Sequence, residues 1–126
     1  MNGLKSETGA AILFITHDLG VIAKMAQHVA VMYAGRIVEY TDVRSLFSSP
    51  AHPYTVGLMQ SIPVYGMKKT KSRLITIEGT VPSLFNLPQG CAFSNRCPDV
   101  MSDCTVTEPG IYSAGDNHMV RCLKYA

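Results

Sequence analysis

Two groups of residues in this 126-residue chain have types and spacings that could do chemistry. The first is His17, in Ile15-Thr-His-Asp18, directly after the apolar run Ala10-Ala-Ile-Leu-Phe-Ile15. If that run is a buried strand and a helix starts at Asp18, the imidazole sits where open α/β sheets bind ligands. There its N–H could reach a phosphate oxygen; from position alone, a structural histidine bonded locally is the stronger reading. The second group is four cysteines in the last third, Cys91, Cys97, Cys104 and Cys122, spaced Cys-x5-Cys-x6-Cys-x17-Cys. Clustered thiols without an export signal point first to a metal or a cluster. No Cys-x-x-Cys pair occurs, so the spacing is not that of an ordinary zinc ribbon. It also differs from common ferredoxin patterns. Read from spacing, a [4Fe–4S] cluster, a zinc ion and free or disulfide-bonded thiols stand level. Arg96 and Arg121, each beside a cysteine, would lower thiol pKa values. His118 could replace one cysteine as a zinc ligand, but reads better as an exposed loop residue.

The elements that must position these residues follow from periodicity. The run at residues 10–16 predicts a strand buried on both faces, as in parallel sheets. Asp18 then caps a helix whose apolar face is Leu19, Ile22, Ala23 and Ala26. Val29–Tyr33 and Arg36–Tyr40, joined by Ala34-Gly35, predict a hairpin. Thr41-Asp42 opens a short helix through Phe47. Pro53 suits the first position of another helix that ends before Pro63, with His52 as its cap. Lys68, Lys69, Lys71 and Arg73 form a basic linker, read as solvated, and Leu74–Glu78 predicts one more strand. Beyond Gly79 the chain is proline-punctuated with little periodicity, a segment that usually needs a staple. A boundary near residue 65 divides residues 1–65, a piece of α/β architecture with α+β character, from a loop-rich extension at 66–126.

Composition removes other classes. With 47% apolar and 16% charged residues the chain is not a disordered polar one. A net charge of +2 gives no reason to invoke nucleic acid. Its longest apolar runs are six residues, against the roughly 20 of a membrane span. No signal peptide is legible at the start.

The ordered set Leu13-Phe-Ile-Thr-His-Asp-Leu-Gly-Val21, Val31-Met-Tyr-Ala-Gly-Arg-Ile-Val-Glu39, His52-Pro-Tyr-Thr55, Gly79-Thr-Val-Pro-Ser-Leu84, Gly90-Cys-Ala-Phe93 and Arg96-Cys-Pro98, continuing to Cys104 and Cys122, resembles one family closely. It is similar to the C-terminal part of ATP-binding subunits of ABC transporters, in the oligopeptide and dipeptide importer branch. The resemblance implies that His17 is the switch histidine that contacts the γ-phosphate of ATP and positions the attacking water. It implies a second ATPase subunit, membrane permease subunits and peptide delivered by an external binding protein as partners, at the cytoplasmic face of the membrane. It also implies an iron–sulfur cluster on the four cysteines, as in some members of the branch.

The phosphate-cradling Gly-x-x-x-x-Gly-Lys-Ser/Thr loop does not occur in these 126 residues, nor do the family's Ser-Gly-Gly signature and catalytic glutamate. ATP and magnesium chemistry therefore belongs to a longer parent, and the fragment itself is expected to be inactive and to form dimers or larger oligomers. A stand-alone iron–sulfur or zinc module for redox sensing or regulation is the competing expectation.

Overall fold

In a computed structural model, residues 11–62 and 76–126 are described. The basic linker at Lys68–Arg73 and the start of the run predicted at Leu74–Glu78 lie outside them. The fold is α+β, with short helices packed against one four-stranded antiparallel sheet.

Three helices start where polar caps demand. Helix α1 (Leu19–Met25) is capped by Asp18, whose carboxylate accepts from the backbone N–H of Gly20 at 2.8 Å and Val21 at 3.1 Å. Helix α2 (Val43–Ser48) is capped by Asp42, which accepts from Arg44 and Ser45. These donors hold the Asp42 carboxyl below its ordinary range, with the Ser45 hydroxyl the largest contributor. Helix α3 (Pro53–Gln60) begins with proline at its first position, and His52 Nδ1 accepts from the Tyr54 N–H at 3.0 Å. All three caps agree with the sequence.

Strands β1 (His28–Tyr33) and β2 (Arg36–Asp42) form the expected hairpin. Its two-residue turn has Ala34 at φ 46° and Gly35 at φ 78°, the pair of positive angles that matches the twist of the flanking strands. The register shifts once, between Val31 and Met32.

The sheet grows from the far side of the chain. Strand β4 (His118–Val120) pairs with β2 through Glu39↔Val120 and Tyr40↔Met119, and β3 (Tyr112–Gly115) pairs with β4. The order is therefore β1-β2-β4-β3. The main core joins Val29, Val31, Tyr33, Val38 and Leu46 to Phe93 from the cysteine-containing segment. A smaller cluster holds Ala51 against Val120 and Cys122.

Two expected strands are absent among the described residues. Residues 11–16 carry no strand pairing, and Leu13 and Ile15 are 86% and 94% exposed. A run apolar on both faces needs neighbours on both sides, and no described strand pairs with it. Residues 76–78 also lack strand structure. There Ile77 packs into the core beside Gly57, while the carbonyls of Ile77 and Glu78 accept from Arg96.

Gly90 shows how tightly the loop-rich segment is drawn together. A β-carbon there would lie 2.3 Å from the Cys104 carbonyl oxygen and 2.7 Å from the Thr105 carbonyl carbon. Both obstacles are backbone and cannot swing aside. The adjacent Cys91 N–H donates to the same Cys104 oxygen at 2.8 Å. Gly90→Ala should therefore destabilise the chain by roughly 1–3 kcal/mol, as overpacking does. Thermal unfolding followed by circular dichroism checks this; an unchanged midpoint would contradict the close approach.

Candidate functional site

His17 follows the unpaired run and precedes the Asp18 cap, and it is exposed. The Asp18 N–H donates to Thr16 Oγ1 at 3.0 Å, so the turn carrying His17 is fixed on both sides by local bonds. An exposed imidazole beside a helix start can donate to an anionic oxygen.

The cysteines converge. Cys104 and Cys122 are buried, Cys91 and Cys97 are half-buried, and all four are free thiols. Cys91 lies within electrostatic reach of Cys104, Cys97 of both Cys91 and Cys122, and Cys122 of Cys91 and Cys104. Burial pushes the Cys97 thiol up to about 11 and raises those of Cys91 and Cys122. This corrects the expectation that Arg96 and Arg121 activate them. The Arg96 guanidinium donates to the Glu78 carbonyl at 2.8 Å, the Ile77 carbonyl at 3.0 Å and the Tyr33 hydroxyl. Arg121 donates to the carbonyls of Ile37 and Pro109. Both cations are bound to neutral acceptors, so desolvation decides the thiol chemistry.

Four neighbouring thiols are the right kind of donor for zinc or a [4Fe–4S] cluster. As placed, they do not close a shell: among the described residues no three His, Cys, Asp or Glu side chains form a group that could hold a metal ion.

A third group was not anticipated. Glu39, on β2, is 1% exposed and carries a carboxylate with three donors. Its Oε1 accepts from the Ala51 N–H at 2.8 Å and from His118 Nε2 at 2.7 Å, and its Oε2 accepts from the His52 N–H at 2.8 Å. Ala51 and His52 immediately precede α3, so the carboxylate occupies that helix's electropositive end. His118 is thus a buried partner of Glu39 and not the exposed loop residue expected. His52 is also fully buried, against the Phe93 ring at 5.8 Å. Burial pushes its pKa down to about 4, although the Glu39 charge pulls the other way. Beside it lies a cavity of about 70 Å³ bordered by Tyr33, Arg36, Cys91 and Arg121, far below the roughly 300 Å³ at which ligand pockets begin.

Among the described residues, no helix is long and apolar enough to cross a membrane. Residues 38–104 match the family described as oligopeptide/dipeptide transporter, C-terminal region. A peptide import ATP-binding protein of Brucella ovis is 47% identical over 99% of this chain and 38% of its own length. The oligopeptide transport ATP-binding protein AppD of Bacillus subtilis is 44% identical over the same shares. The oligopeptide transport ATP-binding protein OppD of Mycobacterium tuberculosis is 41% identical over 98% of this chain and 20% of its own. The chain thus spans less than two fifths of the length of these relatives. Their similarity runs through the hairpin and α3 as well as the cysteines, which leaves a separate iron–sulfur or zinc module without support.

Proposed function

Because the chain belongs to the oligopeptide/dipeptide transporter family, in its C-terminal region, we propose that it supplies the C-terminal part of an ATP-binding subunit that powers peptide import. The observation that carries this reading is the match over nearly the whole chain to peptide-import ATP-binding proteins, with His17 inside it. In this reading the chain's catalytic residue is His17, which would donate to the γ-phosphate of ATP and orient the attacking water. Asp18 would act by fixing the helix start, not by proton transfer. In this reading the phosphate loop, magnesium ligands and catalytic glutamate would be supplied by the rest of such a subunit. Phosphoryl transfer depends on positioning and electrostatics from all of these together, so His17 by itself supplies no turnover.

The partners in this reading are a second ATP-binding subunit and two membrane permease subunits, with peptide delivered by an external binding protein. The segment after residue 65 would extend toward the partner ATPase at the cytoplasmic face of the membrane.

The test is made in the full-length subunit assembled with its permease. His17→Ala should reduce ATP turnover by roughly a hundredfold while nucleotide binding survives. The 126-residue chain alone should release no phosphate from ATP. Turnover by the isolated chain, or full activity of His17→Ala, would overturn the assignment. For Cys91, Cys97, Cys104 and Cys122 we propose a soft-donor cluster whose sulfurs draw together when loaded. Iron, acid-labile sulfide and zinc assays on anaerobically purified full-length protein check this, and a protein containing none of the three contradicts it.

A further inference from the structure

We propose that Glu39 and His52 form a proton-operated clasp that holds the C-terminal tail, residues 112–126, on the start of α3. On acidification the clasp releases the tail before the β1–β2 hairpin melts.

The geometry brings the buried side-chain contacts of His118, Val120 and Cys122 to one place. The backbone N–H groups of Ala51 and His52 both point at the Glu39 carboxylate, which also receives His118 from the tail. Val120 and Cys122 pack on Ala51, and the Tyr125 hydroxyl donates to the Ala51 carbonyl at 3.4 Å. Away from this point the tail meets β2 through two register pairs, the Arg121 N–H on the Val38 carbonyl and the Arg121 guanidinium on the Ile37 carbonyl. Its outer contacts are Arg121 on the Pro109 carbonyl and Lys124 on Asp99. The hairpin has six register pairs and most of the core. Units with fewer contacts open first.

Protons attack the clasp at His52. His52 caps α3 through the lone pair of Nδ1, so a proton on that nitrogen turns the acceptor into a donor facing the Tyr54 N–H. Burial already holds His52 neutral down to about pH 4 in the closed form. Opening hydrates His52, so proton uptake there favours the open form.

Other ionisable groups surround the clasp. His118 comes from β4, Tyr33 from β1 and Tyr54 from α3. Arg36 is paired with Glu108 at 2.6 Å, and Arg121 is held by two carbonyls. Cys91 and Cys122 carry raised pKa values and stay neutral in acid.

Amide hydrogen exchange by NMR on the whole chain tests the proposal, with rates corrected for intrinsic exchange. Between about pH 7 and pH 4.5, Val120 and Arg121 should lose about tenfold more protection than Val29 and Thr41. Glu39→Gln should free the tail amides at neutral pH while the hairpin stays protected. His52→Asn, which caps without titrating, should flatten the acid response of the tail. Joint loss of tail and hairpin protection, or a tail protected throughout, would overturn the clasp; so would wild-type protection of the tail in Glu39→Gln. If Glu39→Gln does not fold, the wild-type profile and His52→Asn decide the question.

Discussion

Truncating Phe93 to alanine should cost about 3–5 kcal/mol, a large part of the 5–15 kcal/mol that separates folded from unfolded domains. Phe93 is 2% exposed and stands edge-on to Tyr33 at 5.1 Å and Tyr54 at 5.5 Å. Removing the ring leaves both tyrosines and His52 facing a void. Among the described residues, Phe93 is also the only fully buried member of the main cluster contributed by the segment after residue 75. Its loss should therefore weaken attachment of the cysteine-containing loops along with the core. Urea unfolding monitored by far-ultraviolet circular dichroism measures the global effect, and near-ultraviolet tyrosine signals report the local one. Phe93→Leu, which restores most of the volume, should recover much of the loss. A cost below about 1 kcal/mol for alanine would show that the ring does not carry the core in the way described.

The second large effect is on acid stability. His52 stays neutral in the folded chain down to about pH 4, whereas in the unfolded chain it takes up a proton near its ordinary 6.5. Between those values the unfolded state binds more protons, so stability is full above pH 6.5 and falls as the pH drops toward 4. The size of the shift corresponds to roughly 3 kcal/mol over that window. His52→Asn keeps a side-chain oxygen at the cap and removes the titration. Its stability should be lower than wild type at neutral pH, and the gap should narrow by about that amount at pH 4. Parallel curves for the two proteins would remove His52 as the cause.

Local features of this fold were legible in the sequence. Asp18, Asp42 and the His52-Pro53 pair each announce a helix start, because caps act over two or three residues and need no tertiary context. The Ala34-Gly35 turn is equally local. What was not legible depended on distant partners. The apolar run at 10–16 has strand character, but a strand exists only when another pairs with it, and composition carries no record of whether one does. Strands β3 and β4 are four and three residues long and contain Ser, Gly and His, so no alternation could reveal them.

Glu39 was hidden for a different reason. The register shift opposite Val38 leaves Val38 and Glu39 both buried, breaking the period of two by which an inward-facing residue is recognised. With Glu39 invisible, its partner His118 read as a loop residue. Of the candidate site, the type and proximity of the four cysteines were legible. Their charge state was not, because it follows from burial and from the carbonyls that bind Arg96 and Arg121.

The pairing of β2 with β4 has a consequence during synthesis. Glu39 and His118 are 79 positions apart, so at about 5–20 residues per second the hairpin waits some 4–16 s for its third strand to be made. Throughout that interval the β4 side of β2 offers unpaired N–H and C=O groups to any passing chain. Until His118 arrives, the acidic side chain of Glu39 stands midway along that open edge, a poor surface for an apolar strand to join. The residue that fastens the finished sheet also guards its unfinished edge.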